Sequence, residues 1–414
     1  MKVLHVLETS IPHNVGYTIR ANAIVENQLR LGLEVVVVTS PMFAATGPIA
    51  ACEEYGGVRY YRTNHILPPA SARSKLGSYW RRIMMLRGYR EAVLGVARKE
   101  RVDVIHAHSS YSNAYAAMSA ARLLNVPLLY EVRTLWGESA VVEDGWRSNS
   151  WKHRMIWRLE LGAMRSADLV VPISNGIFDE LASRGVPKYK MKIVANGVDT
   201  SKFTPGPKDT ALAASVGMSD RFIVGFVGSM RKLEGLSTLL DAYDICRRNG
   251  AKIGLVLVGD GPDKQHLESM KRELKLADVH FAGNVPHDEV AAWYSILDVV
   301  AYPRIRAVIN ERVTPLKPLE VMALGKVCIG SDVGGLLELI SNRQTGMIFR
   351  SGDAAHLAEV LRTLLANPAL MAELGRSAQS FVKSEREWSV IVSQYSEIYS
   401  ELFAARRGAA PAPQ

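Results

Sequence analysis

Chemistry concentrates in one stretch of the chain: Tyr302-Pro303-Arg304-Ile305-Arg306, then Glu311-Arg312-Val313-Thr314-Pro315-Leu316-Lys317-Pro318-Leu319-Glu320. It follows an apolar run and opens a helical pattern. Thr314 is a favourable N-cap and Pro315 a favourable first helical residue. Prolines at 315 and 318 remove two amides from the first turn, which leaves the N–H groups of Leu316 and Lys317 at its mouth. Two convergent amides at the positive end of a helix dipole bind phosphate. Glu320, a turn further in, is a carboxylate that can accept both hydroxyls of a ribose. The same residues also read as a plain capped helix, with the Thr314 hydroxyl taking one of those amides.

Three glycine turns lie in the same half of the chain: Phe226-Val227-Gly228-Ser229-Met230-Arg231-Lys232, Val256-Leu257-Val258-Gly259-Asp260-Gly261-Pro262 and Ser331-Asp332-Val333-Gly334-Gly335. Each allows close backbone approach. In the other half, His106-Ala107-His108-Ser109 ends one strand pattern and Tyr130-Glu131-Val132-Arg133-Thr134 the next. The two histidines have no matching Cys, His or carboxylate cluster in the sequence, so no metal is expected and His108 is read as lining a cleft. Glu131 and Arg133 read either as functional groups or as a structural ion pair.

The elements that must position these residues alternate. Strand patterns run over Val3–Leu7, Glu34–Thr39, Asp103–His106, Pro127–Glu131, Leu169–Pro172 and Met191–Ala195. They are short, rich in Val and Ile, and mostly without polar alternation, as strands buried on both faces are. Helical segments fill the gaps, which predicts βαβ units and a parallel sheet. A turn at Asn196-Gly197-Val198-Asp199 and the Pro/Gly-rich Phe203-Thr204-Pro205-Gly206-Pro207 mark a linker. A second series follows at Phe222–Val227, Ile253–Val258, Val279–Ala282, Val299–Tyr302, Val327–Gly330 and Gly346–Phe349. The reading is α/β: two doubly wound Rossmann-like domains facing a central cleft. One spans 1–200 with a helix returning over 385–404, the other 201–384, and 405–414 is expected to be a disordered tail. Ligands of such sheets sit outside the carboxyl ends of the strands, so two of them suit a reaction that joins two separately bound substrates.

A chain of 414 residues is long for one core. No apolar run reaches membrane-spanning length, and Met1-Lys2-Val3-Leu4 runs straight into a strand pattern, so no leader is expected. Cys52, Cys246 and Cys328 lie far apart and read as reduced thiols, so a cytoplasmic location is expected. The net charge of +9 is uneven: Ser71 to Arg101 holds nine basic residues against Glu91 and Glu100. That segment reads either as a solvated helix face or as a contact for an anionic partner, namely a phospholipid surface, a pyrophosphate-bearing acceptor or nucleic acid. Tyr79, Ile83, Leu86 and Val93 fall on one helical stripe flanked by Trp80 and Met84, with Arg82 and Arg87 at its border, as in interfacial helices. Arg90 falls inside the stripe, which suits a helix packed on protein.

In order along the chain, further motifs join these. They are Ala167-Asp168-Leu169-Val170-Val171-Pro172-Ile173-Ser174, Ala195-Asn196-Gly197-Val198-Asp199 with Phe203 and Pro205, Phe281-Ala282-Gly283-Asn284-Val285, and Pro318-Leu319-Glu320-Val321-Met322-Ala323-Leu324-Gly325. With the Gly228 and Gly259 turns, the set resembles the retaining glycosyltransferases of family 4, from Met1 to about Phe403. Pro12-His13-Asn14-Val15-Gly16-Tyr17 resembles, more loosely, members linked to bacterial exopolysaccharide and exosortase gene clusters.

The resemblance implies the GT-B fold, a UDP- or GDP-linked sugar donor in the carboxy-terminal domain, and a glycan or polyprenyl-linked acceptor in the amino-terminal one. It implies retention of anomeric configuration with no metal or pyridoxal phosphate. Gly16 is expected on the loop that approaches the donor phosphates, and Gly228, Gly259, Val285, Leu316 and Lys317 join it in the donor site. Glu320 matches the second glutamate of the family's E-x7-E element, which holds the ribose. Arg133 stands where family members place a catalytic-site His or Arg, with His108 beside it. Three positions depart from the pattern: Arg312 replaces the first glutamate of that element, with Glu311 one position off, and Ser229 and Glu234 replace the Arg and Lys that grip the diphosphate. Arg231, Lys232, Arg304 or Arg306 is expected to substitute, Arg231 before Arg304 and both before Lys232, because a leaving diphosphate needs cationic stabilisation. Rival readings are a nucleotide-sugar 2-epimerase and a catalytically degenerate nucleotide-sugar-binding subunit. Nucleic-acid binding is set aside, since no known module surrounds the basic patch.

Overall fold

The structure, a computed structural model, describes residues 1–12, 16–43, 50–66, 75–286 and 289–408, and the side chains of all of these but 16, 75–82, 407 and 408. His13, Asn14, Val15, Arg73 and 409–414 lie outside the described residues, as do the side chains of Tyr79, Trp80, Arg81 and Arg82. The chain divides into two compact units. One comprises Met1–Gly137, Arg147–Ala195 and the chain from Trp388 onward; the other comprises Glu138–Trp146 and Asn196–Glu387.

The first unit is built on seven strands: β1 (Lys2–Leu7), β2 (Glu34–Thr39), β3 (Cys52–Tyr55), β4 (Val58–Arg62), β5 (Val104–His108), β6 (Leu128–Val132) and β7 (Leu169–Pro172). Their order is β3-β4-β2-β1-β5-β6-β7. All pairs are parallel except β3 with β4. β3 and β4 form a hairpin that no apolar run announced; Gly56 and Gly57, with φ of 57° and 80°, supply the two left-handed residues of a tight hairpin turn. The strand expected at Met191–Ala195 is one bridge, Met191 to Val170. The N–H groups of Lys192 and Val194 do reach the carbonyls of Val170 and Pro172. The return bond of a parallel ladder would come from residue 172, and proline has no N–H to give.

The second unit holds β8 (Phe222–Val227), β9 (Ile253–Val258), β10 (Val279–Gly283), β11 (Val299–Tyr302), β12 (Val327–Ser331) and β13 (Met347–Phe349). All pairs are parallel, in the order β10-β9-β8-β11-β12-β13. Burial on both faces accounts for the unbroken apolar runs, with β9 and β11 buried throughout. In each unit the strand order reverses beside the first strand: between β1 and β5 in one, between β8 and β11 in the other. Crevices that bind ligands in doubly wound sheets form at such reversals, outside the carboxyl ends of the strands.

The helix Lys75–Glu100 is packed on protein along its carboxyl half. Tyr89, Val93, Val96, Ala97 and Glu100 are buried, and the Tyr89 hydroxyl donates to Asn113 Oδ1 at 3.0 Å. The buried face joins Tyr89 to Val93 of the expected stripe, Ile83 and Leu86 are half-buried, and Arg90, about 100° round from Tyr89, is exposed.

Candidate active site

In the second unit, β8 and β9 end in glycine turns that touch each other. Gly259, at φ 125°, sits so close to the Gly228 carbonyl that a Cβ there would collide with it. Gly228 itself has φ 158°. The helix that returns from β11 toward β12 is Lys317–Ala323. It starts later than its sequence implies: Leu316 is the capping position, with Pro318 in the first turn. Thr314 is not the N-cap, because its carbonyl and hydroxyl oxygens accept from Asn196 Nδ2 at 2.8 and 3.3 Å.

Helices between parallel strands run antiparallel to them, so Lys317 opens its helix at the carboxyl edge of the sheet. Glu320 is 5% exposed; its Oε2 accepts from the buried Tyr294 hydroxyl at 2.9 Å and lies 3.6 Å from Lys317 Nζ. The Lys317 stem passes over the Gly228 turn, with Cδ 3.5 Å from where a Cβ would stand. The structure thus brings together Gly228, Gly259, Lys317 and Glu320.

The arginines expected to replace the diphosphate clamp are each paired with a carboxylate. Arg304 donates twice to Glu234, at 3.2 and 2.9 Å, so the glutamate in place of the family lysine is matched by a guanidinium. Arg231 pairs with Glu143 at 3.2 Å. Arg306 bridges Glu311 and Asp332 at 2.9 and 2.7 Å, and Glu311 Oε2 also accepts from the Gly334 amide. Lys232 is exposed on the short turn Lys232–Glu234, and Val285 is half-buried just past β10. Gly16 opens the helix Gly16–Arg30, but the residues before it lie outside the described set.

In the first unit, the carboxyl ends of β1, β5 and β6 carry a polar network sealed from water. Glu131 is wholly buried and accepts from Arg20 at 3.2 and 2.8 Å, from Arg133 Nε at 2.5 Å and from the Tyr395 hydroxyl. Burial alone would raise the Glu131 carboxyl; the Arg20 and Arg133 guanidiniums outweigh it and hold it well below the usual carboxylate range. Arg133 also contacts the Tyr17 carbonyl at 2.7 Å through Nη1 and His108 Nδ1 through Nη2. His5, on β1, completes a cluster with His106 and His108 whose ligand atoms all lie within 4.8 Å. The sequence alone did not pair His5 with the other two; its one signal was a histidine in a strand otherwise buried and apolar.

The hydrogen bonds orient the rings of His5 and His106. Gln28 Oε1 can only accept, so His5 Nε2 donates to it at 2.8 Å. His5 Nδ1 must then accept, and His108 Nε2 donates to it at 2.7 Å. His108 Nδ1 then sits between the Arg133 guanidinium and Glu131 Oε1, which is 3.1 Å away. Gln28 Nε2 donates to the Tyr399 hydroxyl at 2.9 Å, which donates to His106 Nδ1 at 2.7 Å. His106 Nε2–H is the one member left over, 3.9 Å from Glu131 Oε2. Burial keeps all three imidazoles neutral: His5 is lowered to about 4, and His106 and His108 well below the ordinary value.

A divalent cation does not fit here. Both ring nitrogens of His5 and of His108, and Nδ1 of His106, already have protein partners, and two buried guanidiniums oppose one carboxylate. His108, 1% exposed, and Arg133, 6% exposed, are correspondingly not groups that line an open cleft. Their side chains are engaged by protein partners, and Glu131 and Arg133 form a buried ion pair. Outside this seal at the same edge, Glu8 accepts from the Ser110 hydroxyl at 3.0 Å with its carboxyl raised by burial, and Tyr17 stacks on the part-exposed Trp136 at 6.1 Å. Sequence reasoning missed these four residues.

Comparison with known proteins gives this geometry a family. Residues 15–197 match the model of the glycosyl transferase 4-like domain, and residues 209–381 that of the glycosyl transferases group 1. The chain is 27% identical to the glycogen synthase of Mycobacterium tuberculosis over 327 residues, which is 78% of this chain and 74% of that one. It is 26% identical to a GDP-mannose-dependent alpha-mannosyltransferase of Mycolicibacterium smegmatis over 411 residues, 98% and 99% of the two chains. The solved structure of Anabaena HepE in complex with UDP-glucose superposes with a TM-score of 0.73 at 19% identity, over 97% of this chain and all of that one. With both of its halves matched in order and two Rossmann-like sheets, the chain belongs to the family 4 glycosyltransferases of the GT-B fold.

Proposed function

We propose that this enzyme moves a sugar, with retention, from a UDP- or GDP-linked donor to a glycan or polyprenyl-linked acceptor in the synthesis of bacterial surface or exopolysaccharide. The observation that carries the reading is Glu320. Its carboxylate is seated at the strand reversal of the second sheet, with Oε2 held by Tyr294 and Oε1 without a hydrogen-bond partner among the described residues. That is a preorganised acceptor for a ribose diol, beside glycine turns that let a diphosphate approach backbone. The relatives' names supply the donor class: one is GDP-mannose-dependent, and one structural neighbour was solved with UDP-glucose.

The second unit is accordingly the donor domain and the first the acceptor domain. Transfer needs no metal and no pyridoxal phosphate. The C1–O bond of the donor breaks with its electron pair left on the diphosphate, the acceptor oxygen bonds C1, and the acceptor proton passes to a phosphate oxygen. Protein groups hold both substrates and stabilise the departing charge. A thermal-shift series with UDP, GDP, ADP, CMP and dTDP sugars tests the donor class, since a bound donor in excess raises the midpoint. Turnover with and without acceptor then separates the readings. Acceptor-dependent release of nucleoside diphosphate supports transfer, interconversion of the donor without acceptor supports an epimerase, and binding without turnover supports a degenerate subunit.

A further inference from the structure

We infer that the ammonium of Lys317 is the cation that grips the donor diphosphate in this chain, in place of the Arg and Lys that Ser229 and Glu234 displace. The inference deepens the proposed function and rests on it.

A diphosphate bound at the strand reversal of the second sheet lies between the turn after β8 and the elements that follow β11. Lys317 stands there. Its stem crosses the Gly228 turn, Gly259 is pressed against the same turn, and its Nζ reaches toward Glu320, the proposed ribose ligand. A group reaching Glu320 from above Gly228 spans the interval between the ribose and the glycine turns, which is where the two phosphates of a nucleoside diphosphate must lie.

The three arginines weighed for this role are paired with carboxylates. Arg304 is locked by two bonds to Glu234, Arg231 faces Glu143, and Arg306 is held between Glu311 and Asp332. Lys232 is exposed on the turn Lys232–Glu234, and among the described residues no contact draws it toward Glu320. Lys317 has a long contact, 3.6 Å, to a carboxylate that Tyr294 already engages, and its side chain is 35% exposed. It can therefore turn to an incoming phosphate without leaving a buried carboxylate unpaired. The sequence supports the substitution chemically: Pro318 follows directly and fixes the backbone at the start of the helix, which restrains where the stem can go. In the transfer, the ammonium stays protonated and stabilises the negative charge left on the diphosphate as the C1–O bond breaks.

The test uses the full chain with Lys317→Met and Lys317→Arg. Binding of UDP, GDP, uridine and guanosine is titrated by calorimetry, with circular dichroism to establish folding. The parent is expected to bind the preferred nucleoside diphosphate more tightly than its nucleoside. Lys317→Met should lose roughly tenfold or more of diphosphate affinity while nucleoside affinity stays unchanged, and Lys317→Arg should recover part of the loss. kcat should fall in Lys317→Met along with diphosphate affinity. A Lys317→Met variant that is folded and keeps the parental ratio of diphosphate to nucleoside affinity overturns the inference. Loss of both ligands alike also overturns it, because that is damage to the nucleoside site. A parent that prefers neither UDP nor GDP to its nucleoside fails at the earlier step and takes the proposed function with it.

Discussion

At the scale of single residues, the buried network of the first unit makes two stability predictions. His5, His106 and His108 are neutral in the fold, with His5 lowered to about 4 from an ordinary 6.5. Below pH 6.5 the unfolded chain takes up protons that the folded chain refuses, so folding stability should fall as pH drops from about 6.5 toward 4. The groups facing the imidazoles do not reverse this. Arg20 and Arg133 stay charged, and Glu131, held low, adds its own loss once pH passes below the ordinary carboxylate range. Thermal midpoints measured across pH 4 to 7 should therefore slope downward on acidification, less steeply in His5→Asn. A flat profile would mean that the imidazoles are not sealed from water. The second prediction concerns Glu131→Gln, which leaves two buried guanidiniums without their carboxylate. A loss of about 3–5 kcal/mol is expected in chemical denaturation. A loss below 1 kcal/mol would show that the pair is not desolvated.

At the scale of elements, the glycine turns and the basic helix each make a commitment. Gly259 and Gly250 both have φ in the left-handed region, at 125° and 80°, but only Gly259 is pressed on backbone. Gly250→Ala should cost about 1–2 kcal/mol from backbone strain alone. Gly259→Ala should cost more and weaken nucleotide binding, because the Gly228 turn must move. Equal costs in the two variants would deny the contact. The helix Lys75–Glu100 buries Tyr89, Val93 and Val96 against its own unit and exposes Arg87, Arg90, Arg98 and Lys99. Near an anionic surface each cation contributes about 1 kcal/mol, so the exposed row is expected to bring the enzyme to anionic vesicles at low salt, where a lipid-linked acceptor would be met. Sedimentation should show binding to anionic but not neutral vesicles, lost in a variant with Arg87, Arg90 and Arg98 changed to Ser. Equal pelleting of that variant, or none of the parent, would end the membrane reading.

Strands were legible where burial on both faces leaves an apolar run: β2, β7, β8, β9 and β11 begin and end at the residues that their patterns mark. Legibility failed where a partner decides the outcome. Thr314 looks like a helix cap until Asn196 takes its oxygens, and the Met191–Ala195 pattern looks like a strand until Pro172 withholds an N–H. The hairpin of β3 and β4 has charged, exposed positions and only Gly56-Gly57 to mark it.

At the scale of the whole molecule, each unit repeats one architectural device, a parallel sheet whose order reverses beside its first strand. The chemistry set at the two reversals differs. The first unit fills its edge with a hydrogen-bonded circuit that fixes β1, β5 and β6 to the final helix Trp388–Gly408 through Tyr395 and Tyr399. The second leaves a carboxylate and a cation beside glycine turns. Glu320 and Lys317 were legible as a site because their spacing follows from one short helix. The circuit was not, because His5, Arg20, Glu131 and Tyr399 are distant in sequence and meet only when the sheet is assembled.

The central claim is that the second unit binds a nucleoside diphosphate through Glu320, and calorimetric titration of Glu320→Ala beside the parent tests it most directly. The lost acceptor of charge-assisted hydrogen bonds is worth roughly 1.5–3 kcal/mol, so affinity for the preferred UDP or GDP should drop roughly tenfold or more in a variant that remains folded. Unlike Lys317→Met, Glu320→Ala should weaken the nucleoside as well as the diphosphate, because the ribose is common to both. Parental affinity in folded Glu320→Ala would place the nucleotide elsewhere and contradict the account.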